Sequence, residues 1–363
     1  MDVYLDDKSS LHLLRKVSTD PRLELRTTGE QCPMSLGSSP VSLHRMGIPH
    51  LLSYLRVPEN GTLGVLVPDA KHRVRAHGTS CSVKAKLPGD CTFMLLTNAN
   101  DYDPSLLVPQ DSRVFVMPPE CVVLGMAGRL MRGGASDKDA WTKNVLMLTK
   151  LCLGLCGTYR HDPFDPWKGS VTYEVPPLTS VDALGALSAC LHGERGARLY
   201  KEAIQHVYDL SGSPQESFMG PALFFSSAYG GLDLGEFDAN KPLDLSKSEL
   251  ASIDCRTITP DFFLSTYDLA LEYLGSVHEK GSNPKKDHVR SLDYQTLGKR
   301  ELAFVYDDVK TQDAFMHSAA RIVTIMEQFD GPGVRTRFER LKGDQAFMKR
   351  QKQLFQTFRP WLR

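Results

Sequence analysis

The sequence predicts an α/β (α+β) protein built from more than one unit, and three observations carry that expectation. Its 363 residues exceed what one small core ordinarily holds, so two or three compact units are expected. Between residues 119 and 210, apolar residues recur at three- and four-residue spacing, the mark of helices with one buried face. Between residues 213 and 328 the pattern switches period repeatedly, in the order helix, strand, strand, helix, strand, helix. A mixed central sheet flanked by helices is the economical way to bury such elements.

Residues 1–110 read as a small α+β region. A short helix is expected at 11–17, and buried strands at 63–67 (LGVLV) and 91–96 (CTFMLL). Frequent Gly and Pro keep these elements short. The basic segment HRVRAH at 72–77 reads either as a solvated loop or as a phosphate contact. Residues 111–210 form a helical unit in this reading. Its helices run through ECVVLGMAGRLM, DAWTKNVLMLTKLCLGLC, VDALGALSACLHG and ARLYKEAIQHVYDL. Ser136 with Asp139 is expected to cap the second of these, Gly157 to end it, and Ser180 to open the third.

Residues 211–330 form the third segment. Ser213 opens an apolar helix that Gly230-Gly231 breaks, and 253–274 is strand-like with a turn at Ser265-Thr266-Tyr267. A helix follows at 286–297, closed by Gly298, then a strand at 301–306 and a helix at 313–328. The tail, 331–363, differs in character. From Val334 to Arg363 it holds nine Lys/Arg against Glu339 and Asp344, interleaved with Phe347, Phe355, Phe358 and Trp361. It reads either as amphipathic helices packed on the domain or as a DNA-backbone clamp with stacking side chains.

Composition narrows the classes. The 43 basic and 43 acidic residues cancel, whereas dedicated nucleic-acid binders are usually basic. No run of eighteen apolar residues is present, so no membrane span is expected. MDVYLDDKSS lacks a basic stretch followed by an apolar one, so a cytoplasmic protein without a signal peptide is expected. Eight scattered cysteines without a CxxC pair read as reduced thiols, with Cys152 and Cys156 on one helical face. P-loop, GxGxxG and HExxH patterns are missing. Gly133-Gly134 reads as a helix stop.

The turn at 265–267 centres an antiparallel hairpin. Pairing outward matches Leu264 with Leu269, Phe263 with Ala270, Phe262 with Leu271, and Asp261 with Glu272. Opposed residues on one face lie about 4.5–5.5 Å apart at Cβ, where like charges repel. A divalent cation would relieve that repulsion. The alternative leaves Asp261 at a strand entrance and Glu272 facing solvent. Six apolar neighbours in the hairpin favour burial, and a buried acid needs a partner.

Here the chain resembles a known family. The stretch PDFFLSTYDLALEYLGSVHEKGSNPKKDHVRSLDYQTLG is similar to the core of very-short-patch-repair-like endonuclease domains in the PD-(D/E)xK superfamily. Pro260-Asp261, Glu272, Gly275, His278, Asp287, Arg290 and Gly298 stand at that pattern's positions. Upstream, Ser213-Pro-Gln-Glu216 resembles the first-helix acid motif, and Gly230-Gly231 with Asn240 resembles the link after it. About 115 residues are covered. Tyr294 stands where the pattern has Leu, and Leu274 where the superfamily has Lys.

The resemblance implies a restriction-endonuclease-like fold and Mg²⁺-dependent (or Mn²⁺-dependent) hydrolysis of DNA phosphodiesters. Asp261 and Glu272 would bind the metal, and Glu216 would complete or support the site. Glu216 has a rival role in a capping box with Ser213. His278 and Arg290 would steady the scissile phosphate or assist proton transfer, while Asp287 reads better as the acid at its helix start. Lys285, Lys286, Arg335, Arg337, Lys349 and Arg350 are the candidate DNA contacts. A displaced cation (Lys280, Lys286 or Arg290) would substitute for the missing Lys. Otherwise the fold persists without cleavage, as in a DNA-binding or antitoxin-like regulator, or as an interaction scaffold.

Overall fold

A computed structural model of the chain describes residues 2–33, 62–73, 79–99, 113–133, 137–162, 169–275 and 284–358. The architecture is mixed α+β, and the chain divides into two units that are each discontinuous in sequence. Unit 1 comprises 1–136 with 159–205, and unit 2 comprises 137–158 with 206–363. The helical stretch expected at 111–210 is therefore shared between the two.

Unit 1 carries a four-stranded sheet in the order β1 (Asp2–Tyr4), β6 (Arg113–Val116), β5 (Met94–Asn98), β2 (Leu23–Thr27). A parallel pair, β3 (Leu63–Val67) and β4 (Thr79–Val83), joins it through an antiparallel bridge between Leu5 and Val65. The strand expected at 63–67 matches β3, all five of whose residues are buried. The strand expected at 91–96 begins later, at Met94. The Phe93 backbone is occupied outside the ladder, with its N–H on the Glu30 carbonyl at 2.7 Å and its carbonyl taking the Thr28 hydroxyl.

Helix α1 (Asp7–Val17) opens at Asp6, whose carboxylate accepts the Ser9 N–H at 2.9 Å and so satisfies a free first-turn donor. It packs against α2 (Pro119–Leu130). A hairpin of β7 (Tyr159–His161) and β8 (Val171–Tyr173), with α4 (Val181–Cys190) and α5 (Ala197–Ile204), completes the unit. Ser180 caps α4 as expected. The order omits α3 (Lys138–Cys156), which belongs to unit 2; Asp137, not Ser136, caps it by accepting the Ala140 N–H.

Unit 2 is built on a second four-stranded sheet, ordered β12 (Arg300–Val305), β11 (Leu269–Leu274), β10 (Phe262–Leu264), β9 (Asp238–Ala239). Three of the four expected hairpin pairs form: Phe262 opposes Leu271, Phe263 opposes Ala270, and Leu264 opposes Leu269. The ladder ends there, and the fourth expected pair, Asp261 with Glu272, lies outside it: the Asp261 side chain instead accepts the Tyr273 N–H. Asp268, at φ 46°, closes the turn in the left-handed region. β12 runs parallel to β11, which requires a crossover, and α8 (Pro284–Thr296) supplies it. Gly298 then ends that connection at φ 68°.

Helices complete the unit: α6 (Pro214–Phe224), α7 (Lys247–Ser252), α9 (Tyr306–Val309), α10 (Gln312–Asp330), α11 (Gly333–Gly343) and α12 (Gln345–Phe358). Phe218 of α6 meets Phe315 of α10 and Phe355 and Phe358 of α12 at centroid distances of 4.7–6.3 Å. Each such buried ring contributes about 1.5–3 kcal/mol by leaving water. The tail aromatics Phe347, Phe355 and Phe358 are thus core, and Trp361 lies outside the described residues. Two glycines permit this closure. A Cβ on Gly231 would lie 2.2 Å from the Phe225 carbonyl oxygen, and one on Gly230 2.6 Å from the Gln351 backbone of α12. Among the described residues, no helix is long and apolar enough to cross a membrane.

Candidate functional site

Three carboxylates and one guanidinium meet near the β10–β11 end of unit 2. Asp261 directly precedes β10, held by two backbone bonds. Its carbonyl takes the Asn240 N–H at 3.1 Å, and its Oδ2 takes the Tyr273 N–H at 2.6 Å. Glu272 is central in β11 and 2 % exposed. It forms an ion pair with Arg290 and accepts the Tyr294 hydroxyl at 2.7 Å on Oε1. The alternative that left Glu272 facing solvent is excluded by this burial.

Glu216 lies in the first turn of α6 and is also buried. Ser213 caps that turn by accepting the Glu216 N–H at 3.1 Å. The Glu216 carboxylate returns past Ser213, accepting the Gly212 N–H at 2.7 Å and the Asn240 side-chain amide at 3.0 Å on Oε2. The helix start is braced by Tyr208, whose hydroxyl donates to the Glu216 carbonyl at 2.7 Å. Asn240, at φ 48° in the left-handed region that Asn tolerates, therefore bonds both the Asp261 backbone and the Glu216 carboxylate.

The electrostatics follow from this crowding. Burial pushes Asp261 well above the usual carboxylate range, and the facing Glu216 charge adds to it. Burial also raises Glu216, against the pull of Gly212, Asn240, Ser213 and Arg290. Arg290 is the cation nearest all three acids: it pairs with Glu272 and lowers both Asp261 and Glu216. Its Nε is buried and has no hydrogen-bond partner among the described residues. One positive charge thus faces three acids, a deficit that protonation or an added cation removes.

The expected site residues divide accordingly. Asp261, Glu216, Glu272 and Arg290 come together. His278 and Lys280 lie outside the described residues. Lys285, Lys286 and Asp287 are in or at the start of α8, but their side chains are not described. The four tail cations each have an internal partner. Arg335 pairs with Glu327 at 3.2 Å and Lys349 with Asp139 at 2.5 Å; Arg337 donates to the Asp233 carbonyl and Arg350 to the Ser227 carbonyl. Tyr294 and Asn240 were pattern positions without an expected role. Arg290 and Tyr294 stand four apart on α8, hence on one helical face, and that spacing was a usable signal for Tyr294.

Among the described residues, no three His, Cys, Asp or Glu side chains converge as a metal-holding group. Asp261 and Glu216 face each other closely enough to repel. This donor set fits a hydrated Mg²⁺, which takes one or two carboxylates and fills the rest of its shell with water. Glu272, expected as the second ligand, is engaged by Arg290 and Tyr294. The Tyr294 hydroxyl is itself raised to about 12, chiefly by burial, so it stays a donor to Glu272. Tyr294→Phe should lower unit 2 stability by about 1.5–3 kcal/mol, the worth of a hydrogen bond to a charged acceptor. Urea unfolding measures this, and an unchanged midpoint would refute the pairing. Comparison with protein-family models, curated proteins and solved structures finds no match to this chain.

Proposed function

We propose that unit 2 is a PD-(D/E)xK-like domain that hydrolyses DNA phosphodiesters with Mg²⁺ or Mn²⁺. The observation that carries this reading is the convergence of Asp261, Glu216, Glu272 and Arg290 at one end of a sheet of helix–β9–helix–β10–β11–helix–β12 order. Asp261 and Glu216 would hold the cation in their shared negative field. When bound, the metal supplies a water of lowered pKa and neutralises phosphate charge. Tyr273 and Asn240 fix Asp261 in place, and Asn240 and Gly212 fix Glu216. Arg290 would serve in place of the superfamily's missing Lys. Its side chain, 34 % exposed, supports a role toward a phosphate oxygen, and Glu272 orients it. Leu274 is then a packing residue on β11.

A second reading draws on the same residues. Arg290 closed onto Glu272, and tail cations satisfied internally, favour a DNA-binding or antitoxin-like regulator that keeps the fold without cleavage. Supercoiled-plasmid nicking with Mg²⁺ and Mn²⁺ separates the two. Metal-dependent nicking by the native chain, absent in Asp261→Ala, is the expected result. Equal nicking by both, or none by either, would end the catalytic reading; salt-sensitive binding without nicking would select the regulator.

A further inference from the structure

Unit 1 holds a cavity of about 500 Å³ between β4 and α2, far in sequence from the acidic site. Five cations line it, Lys84, Lys86, Arg129, Arg132 and Arg195, against two acids, Asp7 and Glu194. Both acids are already engaged. Asp7 accepts from Arg129 Nε at 2.7 Å, and Glu194 accepts the His192 N–H at 2.6 Å. Arg129 is therefore a fixed part of the wall, bound also to Asp6 at 2.8 Å. Lys84, Lys86, Arg132 and Arg195 have no ion-pair partner among the described residues.

Backbone geometry brings these charges together. A Cβ on Gly125 would lie 2.6 Å from the Asp7 side chain, so only glycine lets Asp7 and its arginine sit against α2. Gly196, at φ 92°, would carry its Cβ 2.5 Å from the Gly128 nitrogen. That close approach presses the neighbouring Arg195 onto the rim. The remaining wall is mostly apolar, with Leu66, Leu87, Met117 and Leu124 beside the polar Ser82. Four cations without an ion-pair partner among the described residues, facing the single carboxylate of Glu194 not held by an arginine, leave a net positive concavity that an anion would neutralise. The volume falls within the roughly 300–1,000 Å³ of small-molecule sites, where apolar walls take a ring system and a few polar groups fix orientation.

We propose that this cavity binds a nucleoside polyphosphate, with the phosphates on Lys84, Lys86, Arg132 and Arg195 and the base against the apolar wall. Arginine and lysine in such number suit phosphate oxygens, which arginine holds bidentately. The reading is independent of the carboxylate site.

Calorimetric titration of the full chain with ATP, GTP, adenosine and inorganic pyrophosphate tests it. At least one of the two nucleotides binds, and adenosine and pyrophosphate each bind at least tenfold more weakly. Lys86→Glu with Arg132→Glu, both exposed positions, weakens nucleotide binding at least tenfold while leaving the ligand-free unfolding midpoint unchanged. Absence of heat with either nucleotide at millimolar concentration overturns the proposal. So does pyrophosphate binding as tightly as the nucleotides, or nucleotide binding that survives the double substitution.

Discussion

Asp261→Asn should abolish metal-dependent nicking and at the same time make unit 2 more stable near pH 7.5. The side chain keeps its shape, and its amide oxygen still accepts the Tyr273 N–H that Asp261 Oδ2 takes at 2.6 Å. What disappears is a negative charge that burial and Glu216 both disfavour. A carboxylate whose folded pKa exceeds its unfolded value, about 3.9 for Asp, takes up a proton on folding across that interval. The stability it contributes is present below the unfolded value and is lost as pH rises through the folded one. Neutral pH is therefore where the native site is most strained. A gain of about 1 kcal/mol there corresponds to about 2–4 °C in the unfolding midpoint of a unit this size.

Near pH 4 the native acid is largely protonated and the two midpoints should converge. Mg²⁺ should raise the native midpoint near pH 7.5, because it binds the folded site, and leave that of Asp261→Asn unchanged. Nicking should fall by roughly 10²–10³, the scale of losing a preorganised charge contact in a reacting site. Thermal unfolding across pH, with and without Mg²⁺, checks the stability half; plasmid nicking checks the other. A variant less stable than the native chain at neutral pH would contradict the strain at Asp261.

Arg290→Met should have the opposite effect on stability. It leaves Glu272, 3 % exposed at its side chain, as an ionised group held only by the Tyr294 hydroxyl. Removing one partner of a buried pair costs about 3–5 kcal/mol. Arg290 is itself 34 % exposed, so solvent softens the loss to roughly 2–3 kcal/mol. Adding Glu272→Gln removes the stranded charge and keeps an acceptor for Tyr294. The double variant should regain most of the stability and none of the nicking. That split separates a residue needed for folding from one needed at the phosphate. Recovery of nicking in the double variant would assign Arg290 to folding alone.

Much of unit 2 was legible because its signals are local. The turn at Ser265-Thr266-Tyr267 centres the hairpin, and counting outward from it gives the pairs that oppose one another from Leu264–Leu269 to Phe262–Leu271. Ser180 and Gly157 announce helix ends through backbone chemistry that depends on the residue alone. β9 escaped notice because two residues, Asp238 and Ala239, carry no period. The carboxylate arrangement was less legible for a physical reason. The turn carries Asp261 to the strand that holds Glu272, where it accepts the Tyr273 N–H, but which acid keeps its charge and which takes the arginine depends on Arg290 and Tyr294 arriving from α8. The tail's aromatics had two sequence readings, and only the depth of Phe347, Phe355 and Phe358 in the core separates them.

The packing of α12 against α3 also sets an order of events during synthesis. The α3 segment, 138–156, leaves the ribosome early with a face of buried residues such as Leu146, Leu153 and Cys156. Its covering helix is made about two hundred residues later. The rings that close over Phe218 are likewise among the last described, at 355 and 358. Unit 1 can form while translation continues, apart from the α3 insertion, whereas the core beneath the acidic site stays open until Phe358 has emerged. In stalled nascent chains, protease resistance across 206–343 should accordingly develop only in those long enough to expose α12, so the carboxylate site folds only once Phe358 is outside the ribosome.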